Sequence, residues 1–361
     1  MAIELLKLEK LTLTGSVTAM GEAHGAALRQ KIRAFVPMRF DATLEYLRAL
    51  GYHEVAPLVD IGRKCMEIYE KWDPLGHAEH LAIARGAGVD AAELYTAANM
   101  TDMRDVLALG PELPADAEGC TAVLIPQGFS RSGHRLAAQT WDLNPQDLEY
   151  VVAIHRRPDR GPATWSVTCT GCLSLVGMNE LGLAVGTTNI KTRGSHVGVG
   201  YMGVLHKMLN AQTFQDAAEI CQTAPRAAAH TYWLASEAHL AEWETTAWSA
   251  IRRDAVQEPL ARTNHCLVAE HAQLQGEPAS SSSQARLVRM NARLRDDGPH
   301  DVQSLQAIFA DRQDGIDSIN RFAEDGEGTS TNSVVVAIPA LKTLWACRGS
   351  ADRGDWVELK F

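Results

Sequence analysis

Apolar positions along the first hundred residues recur at helical spacing. From His24 to Arg48 the side chains of Leu28, Ile32, Phe35, Leu44 and Leu47 fall on one face, and Pro37 is expected to kink or end that helix. Ala78 to Arg85 and Ala91 to Met100 continue the helical character across the turn Gly86 to Asp90. The period then changes. Thr121 to Ile125, Arg135 to Trp141, Tyr150 to His155 and Trp165 to Thr170 read as strands, with Gly128 and Gly133 in a hairpin loop between the first two. A turn at Gly177-Met178-Asn179-Glu180 leads into a further strand at Leu181 to Val185.

Helices return from Tyr201 to Gln222, where Thr213 and Asp216 form a capping pair and Phe214, Ala217, Ala218 and Cys221 share a face. A second strand cluster spans Thr231 to Val268. Helices follow at Ser283 to Arg295 and Val302 to Ala310, then a closing hairpin of Ser333 to Ile338 with Thr343 to Cys347. Hairpin-like strands segregated from helices predict antiparallel sheets covered by helices, an α+β chain, not a doubly wound parallel sheet.

Composition narrows the function classes. The chain has 361 residues, of which 46% are hydrophobic and 22% charged, enough apolar material for a sizeable core. A net charge of −10 argues against nucleic acid or an anionic membrane surface as partner. Neither a signal peptide nor a transmembrane helix is expected, since no basic region followed by an apolar stretch opens the sequence and no apolar run is long enough to span a membrane. Seven scattered cysteines do not make a secreted disulfide framework, so a cytoplasmic setting is expected. Cys169 and Cys172 lack a second such pair or a suitable histidine pair, so they read as structural and no metal is expected. Trp233, Trp243 and Trp248 are expected to face cores between layers.

One junction carries chemistry. The polar, proline-bearing stretch from Pro111 fits neither period and ends at Gly119, just before Cys120. Glycine leaves its carbonyl sterically open and its backbone free to twist. The Cys120 thiol could attack that carbonyl, replace the peptide bond by a thioester and, on hydrolysis, become a new N-terminus. Its α-amine, with a reference pKa of about 7.7–8.0, would then serve as general base to its own thiol. Taken alone, a cysteine opening a buried strand is more often inert core.

Further segments change that balance. Glu118-Gly119-Cys120-Thr121-Ala122-Val123, Gln139-Thr140-Trp141-Asp142, Gly177 to Val185 running on to Asn189, and Thr263-Asn264-His265 occur in an order that resembles the acyl-coenzyme A:6-aminopenicillanic acid acyltransferase family. That family includes β-alanyl-amine hydrolases and is more distantly similar to bile salt hydrolases and penicillin V acylases. Upstream, Met20 to Gly25 and Ala84 to Val89 resemble its helical pro-segment, and Thr331 to Val335 resembles its last core strand pair.

The resemblance implies a four-layer αββα N-terminal-nucleophile fold, cut into associated fragments 1–119 and 120–361. It implies Cys120 as nucleophile, Gly119 as the acyl side of the cut, and Asp142 as the carboxylate orienting the new amine. Asn264 becomes an oxyanion donor, and Asn189 either a second such asparagine or a turn residue. Thr140 stands where the family has asparagine, Trp141 is placed near the substrate, and Ser283 with Arg286 matches a recurrent helix start; Thr140 and Arg286 are the further candidates for substrate contact. Arg135 is the nearest arginine before Asp142, and His265 reads as structural because the α-amine already supplies the base. The implied activity is cleavage of a small-molecule amide, with acyl transfer to an amine as the alternative and an uncut, non-catalytic binding protein as a rival of another class. No cofactor is implied, and homo-oligomerisation is left open.

Overall fold

In the computed structural model, described for residues 4–48, 50–108, 119–276, 278–326 and 328–361, two sheets pack face to face between helical layers. The stretch from Pro111 to Glu118 lies outside the described residues. The chain starts with β1 (Glu9–Gly15) and six helices: α1 (Val17–Ala27), α2 (Arg29–Arg48), α3 (Ala56–Trp72), α4 (Pro74–Ala87), α5 (Ala91–Ala98) and α6 (Met100–Ala108). The strands β2 (Ala122–Ile125), β3 (Leu136–Leu143), β4 (Val151–Pro158), β5 (Thr164–Cys169), β6 (Val176–Asn179) and β7 (Ala184–Asn189) follow. Then come α7 (Tyr201–Leu209), α8 (Phe214–Thr223), β8 (His230–Ala235), β9 (Leu240–Thr245), β10 (Ala250–Asp254) and β11 (Leu260–Arg262). The chain closes with α9 (Ala269–Ala272), α10 (Ser281–Asp296), α11 (Val302–Phe309), β12 (Ser330–Ile338), β13 (Thr343–Arg348) and β14 (Val357–Leu359).

One sheet has the order β1-β4-β5-β6-β7-β8-β9-β10 and the other β11-β2-β3-β12-β13-β14. Period-2 alternation builds the layers of the smaller sheet. Ala122, Leu124, Ala137, Trp141, Val335 and Ala337 join the core shared with the larger sheet, whereas Val123, Ile125, Leu136, Ala138, Val334 and Val336 pack under α10 and α11. Helices α1, α7 and α8 cover the outer face of the larger sheet. Together these layers are the αββα arrangement. Among the described residues no helix is long and apolar enough to cross a membrane.

The glycine-rich segments of the first hundred residues have a packing role. A Cβ on Gly25 of α1 would stand 2.1 Å from the Ile83 carbonyl oxygen of α4, and one on Gly21 would stand 2.6 Å from that of Glu79. Only residues without a Cβ let these two helices approach so closely.

Four local expectations are corrected. The N-terminal region is not all helix: Glu9–Gly15 is a strand, parallel to β4 along residues Val152 to Pro158. Pro37 lies inside α2, and the helical break falls at Leu28 instead. Residues Val176–Asn179 are strand and the turn comes later. The buried Asn179 closes it by accepting from Leu181 and Leu183 N–H at 3.0 Å each, with Gly182 at φ +82°. Trp233 and Trp243 are buried as expected, but Trp248 is 73% exposed. It sits in the tight Thr246–Ser249 turn, stacks on His196 at 4.1 Å and donates to the Gly194 carbonyl at 3.0 Å.

Candidate active site

Cys120 stands two residues before the start of β2 and is 6% exposed. The strand register is fixed by Thr121 and Thr140: Thr140 N–H donates to the Thr121 carbonyl at 2.9 Å, and Thr121 N–H donates to Thr140 Oγ1 at 3.0 Å. This leaves Cys120 Sγ 3.7 Å from the backbone carbonyl of Asp142 on the adjacent strand β3. Gly119 is pressed against the same residue. A Cβ there would lie 2.9 Å from Asp142 Oδ2 and 2.5 Å from Arg321 Nη1, so only glycine lets the 119–120 peptide approach the carboxylate.

Asp142 is 1% exposed, and neither of its carboxylate oxygens has a hydrogen-bond partner of good geometry among the described residues. Burial raises its pKa from 3.8 to about 6. The guanidinium groups of Arg286 and Arg321 offset part of that rise, with smaller help from the hydroxyls of Thr331 and Thr140. Arg286 is itself fully buried, and desolvation with the nearby Arg321 charge brings its pKa down to about 10. The carboxylate is therefore held close to its ionisation point beside the residue that would carry the new amine.

Helix α10 organises the side behind Cys120. Ser280 caps it by accepting from Ser283 N–H at 3.1 Å. One turn along, Arg286 donates to the Cys120 carbonyl at 2.6 Å and to Thr121 Oγ1 at 2.9 Å. Its second Nη donates to Asn264 Oδ1 at 3.0 Å. That bond orients the Asn264 amide with its oxygen toward the arginine and its NH2 away from it. One N–H of that NH2 donates to the Asn189 carbonyl at 3.0 Å; an amide NH2 carries a second donor besides. Ser283 sets the backbone: its Oγ accepts from Asn264 N–H at 2.8 Å, meets His265 Nδ1 at 2.7 Å and donates to Thr263 Oγ1 at 3.1 Å.

Cys120, Trp141, Asp142 and Asn189 line one small pocket of about 30 Å³ together with Tyr201 and His230. His230 bonds Asp102 Oδ1 through Nε2 at 2.6 Å, and Asp102 Oδ2 accepts Tyr201 N–H at 2.8 Å. Helix α6 of the N-terminal region thus braces a pocket wall. Thr140 and Arg286 are not pocket walls; each is turned to backbone and side-chain partners behind Cys120. Arg135 donates to the Glu237 carbonyl at the surface. Arg321 and the His230–Asp102 pair escape the sequence because no motif surrounds them, and Thr331, which the sequence offers only as part of a core strand, stands beside Asp142; the fold alone brings them to the cysteine. Cys169 and Cys172 are buried free thiols beside Arg39, which burial pushes above the usual thiol range.

Residues 130–353 match the family model of acyl-coenzyme A:6-aminopenicillanic acid acyl-transferase. The matched span begins beyond Cys120 and does not include the Gly119–Cys120 junction. No curated protein gives a significant sequence match. Among solved structures, penicillin V acylase from Agrobacterium tumefaciens is similar at TM-score 0.47 and 13% identity, covering 67% of this chain and 86% of that one. The Caenorhabditis elegans ortholog of N-acylethanolamine-hydrolyzing acid amidase gives TM-score 0.46 and 14% identity, covering 67% and 100%. The C2A mutant of conjugated bile acid hydrolase from Clostridium perfringens gives 0.42 and 12%, covering 67% and 97%.

Proposed function

Because the chain belongs to the acyl-coenzyme A:6-aminopenicillanic acid acyl-transferase family, we propose that it is a self-processing N-terminal-nucleophile enzyme that cleaves a small-molecule amide through a thioester on Cys120. The observation that carries the reading is the meeting of Cys120 Sγ, the Gly119 backbone and the Asp142 carboxylate in one buried place.

Processing comes first. Cys120 Sγ bonds to the Gly119 carbonyl carbon, the C–N bond breaks, and the thiol proton passes to the departing nitrogen. Water then cleaves the thioester, leaving a carboxylate on Gly119 and a free amine on Cys120. In turnover that amine takes the thiol proton as Sγ attacks the substrate carbonyl. Asn264 stabilises the oxyanion, a contribution worth about 3 kcal/mol for one donor. The proton returns to the leaving amine, and water resolves the second thioester. Asp142, held near its ionisation point in the uncut chain, becomes the counter-ion of the Cys120 ammonium and keeps the amine aimed at the thiol. Arg286 positions both partners, since it holds the Cys120 carbonyl and the Asn264 amide at once.

An acyltransferase differs only in what resolves the thioester. Purified protein given an amide donor and a competing amine separates the two: free acid identifies hydrolysis, and a new amide identifies transfer. Loss of turnover in Cys120→Ala across a panel of N-acyl and aminoacyl amides supports the nucleophile. Turnover that survives the change removes it.

A further inference from the structure

Helix α7 begins at Gly200, which has no side chain to cap it. The N-terminal region supplies the missing acceptors. Gly200 N–H donates to the Tyr95 hydroxyl at 2.9 Å, Tyr201 N–H to Asp102 Oδ2 at 2.8 Å and Met202 N–H to Asn99 Oδ1 at 3.2 Å. These are donors that an α-helix leaves open at its start. The Asn99 amide is aimed by its own Nδ2, which donates to the Tyr95 carbonyl at 3.0 Å. A Cβ on Gly200 would lie 2.4 Å from Asn99 Cγ, so glycine is what lets the two segments close.

Asp102 has a second task. Its other oxygen, Oδ1, meets His230 Nε2 at 2.6 Å, and the two residues are 1% and 2% exposed. An ionised carboxylate only accepts, so this bond places the ring proton on Nε2. Tyr201 and His230 stack with ring centroids 4.6 Å apart, and both line the pocket of Cys120. One carboxylate therefore fixes the first ring through the backbone of its helix and the second through its side chain. Thr101, the residue before Asp102, lines the same pocket. Each of these bonds to α7 and His230 joins a residue before the 119–120 bond to one after it.

We propose that Asp102 is a positioning residue for substrate selection. By holding the Tyr201–His230 wall it sets the shape that an incoming acyl or amine group meets beside Cys120. The residues that meet the substrate then belong to the segment after the 119–120 bond, and the group that aims them belongs to the segment before it. The inference rests on Cys120 being the nucleophile. Self-cleavage does not depend on this wall, because Gly119, Asp142 and Arg286 lie on the other side of the cysteine's contacts, toward β3 and α10.

Two readouts on the full chain test the proposal, one with turnover and one without. The first is kcat and KM for the amide panel. The second is the rate at which N-methylmaleimide and N-phenylmaleimide label Cys120, assigned by peptide mapping. Asp102→Ala, still cut at 119–120 and with unchanged circular dichroism, is expected to raise KM about tenfold while kcat stays within about threefold. Its wall gives way, so N-phenylmaleimide gains on N-methylmaleimide by about fivefold or more. Should Asp102→Ala fail to fold, Asp102→Asn decides. Its amide oxygen still accepts from Tyr201 N–H, but its NH2 faces His230 and moves the ring proton to Nδ1, which has no partner among the described residues. The labelling ratio then shifts in the same direction. A role in stability alone would leave both readouts of the folded variants at their wild-type values, and that result overturns the proposal. A wild type that turns over no amide counts against the amide reading; the labelling ratio then decides this inference by itself.

Discussion

Ser283→Ala isolates how Asn264, the proposed oxyanion donor, is aimed, because Ser283 touches neither Cys120 nor the pocket. Its hydroxyl makes three contacts in the Thr263–His265 turn: it accepts from Asn264 N–H at 2.8 Å, meets His265 Nδ1 at 2.7 Å and donates to Thr263 Oγ1 at 3.1 Å. Deleting it leaves the Asn264 N–H without its acceptor, at a cost of about 1–3 kcal/mol of stability. The Arg286 and Asn189 contacts of the Asn264 side chain survive, so the amide keeps its orientation but loses its anchor. A whole oxyanion donor contributes about 3 kcal/mol to the barrier. Loss of aim alone should therefore raise the barrier by about 1–2 kcal/mol, a roughly five- to thirtyfold fall in kcat. KM should change little, since the donor acts where charge develops. The assay compares kcat and KM for the best amide of the panel in wild type, Ser283→Ala and Asn264→Ala, with intact mass confirming that each is cut. A normal kcat in folded Ser283→Ala, alongside a crippled Asn264→Ala, refutes the positioning argument.

Other expectations follow from the same geometry. Asn264→Ala removes the donor itself and should lower kcat about 10²- to 10³-fold with the chain still folded, read from steady-state kinetics. Gly119→Ala places a methyl group 2.5 Å from Arg321 Nη1 and 2.9 Å from Asp142 Oδ2, so mass spectrometry should find the chain largely uncut. In the uncut Cys120→Ala chain, burial raises Asp142 from 3.8 to about 6, so folding favours its protonated form. That stabilisation is complete below pH 3.8 and is lost as pH rises through about 6. Asp142→Asn in the same background should therefore match its parent near pH 4 and exceed it at pH 8, by up to about 3 kcal/mol in urea melts.

The layered core was legible because its strands alternate in period 2 and its helices keep an apolar face. Thr213 caps α8 as the sequence implied. What escaped lies where tertiary contacts outweigh local signals. Leu11 and Leu13 do alternate with Lys10 and Thr12, but β1 is a mostly exposed edge strand, so its apolar signal is thin. Pro37 removes one helical hydrogen bond, yet the buried neighbours Phe35, Val36 and Phe40 carry α2 through it. At the site, Gly119 and Cys120 stood out because their chemistry is local. Asp102 and His230 are 128 residues apart, and Arg321 lies in a loop with no periodicity, so only the closed fold makes them neighbours of the pocket.

The intact masses and N-terminal sequence of the purified wild-type chain test the central claim most directly. Two associated fragments, ending at Gly119 and beginning at Cys120, are the result expected, with a single uncut chain in Cys120→Ala. An active wild-type protein that keeps the 119–120 bond would have no α-amine to act as base, and would contradict the mechanism.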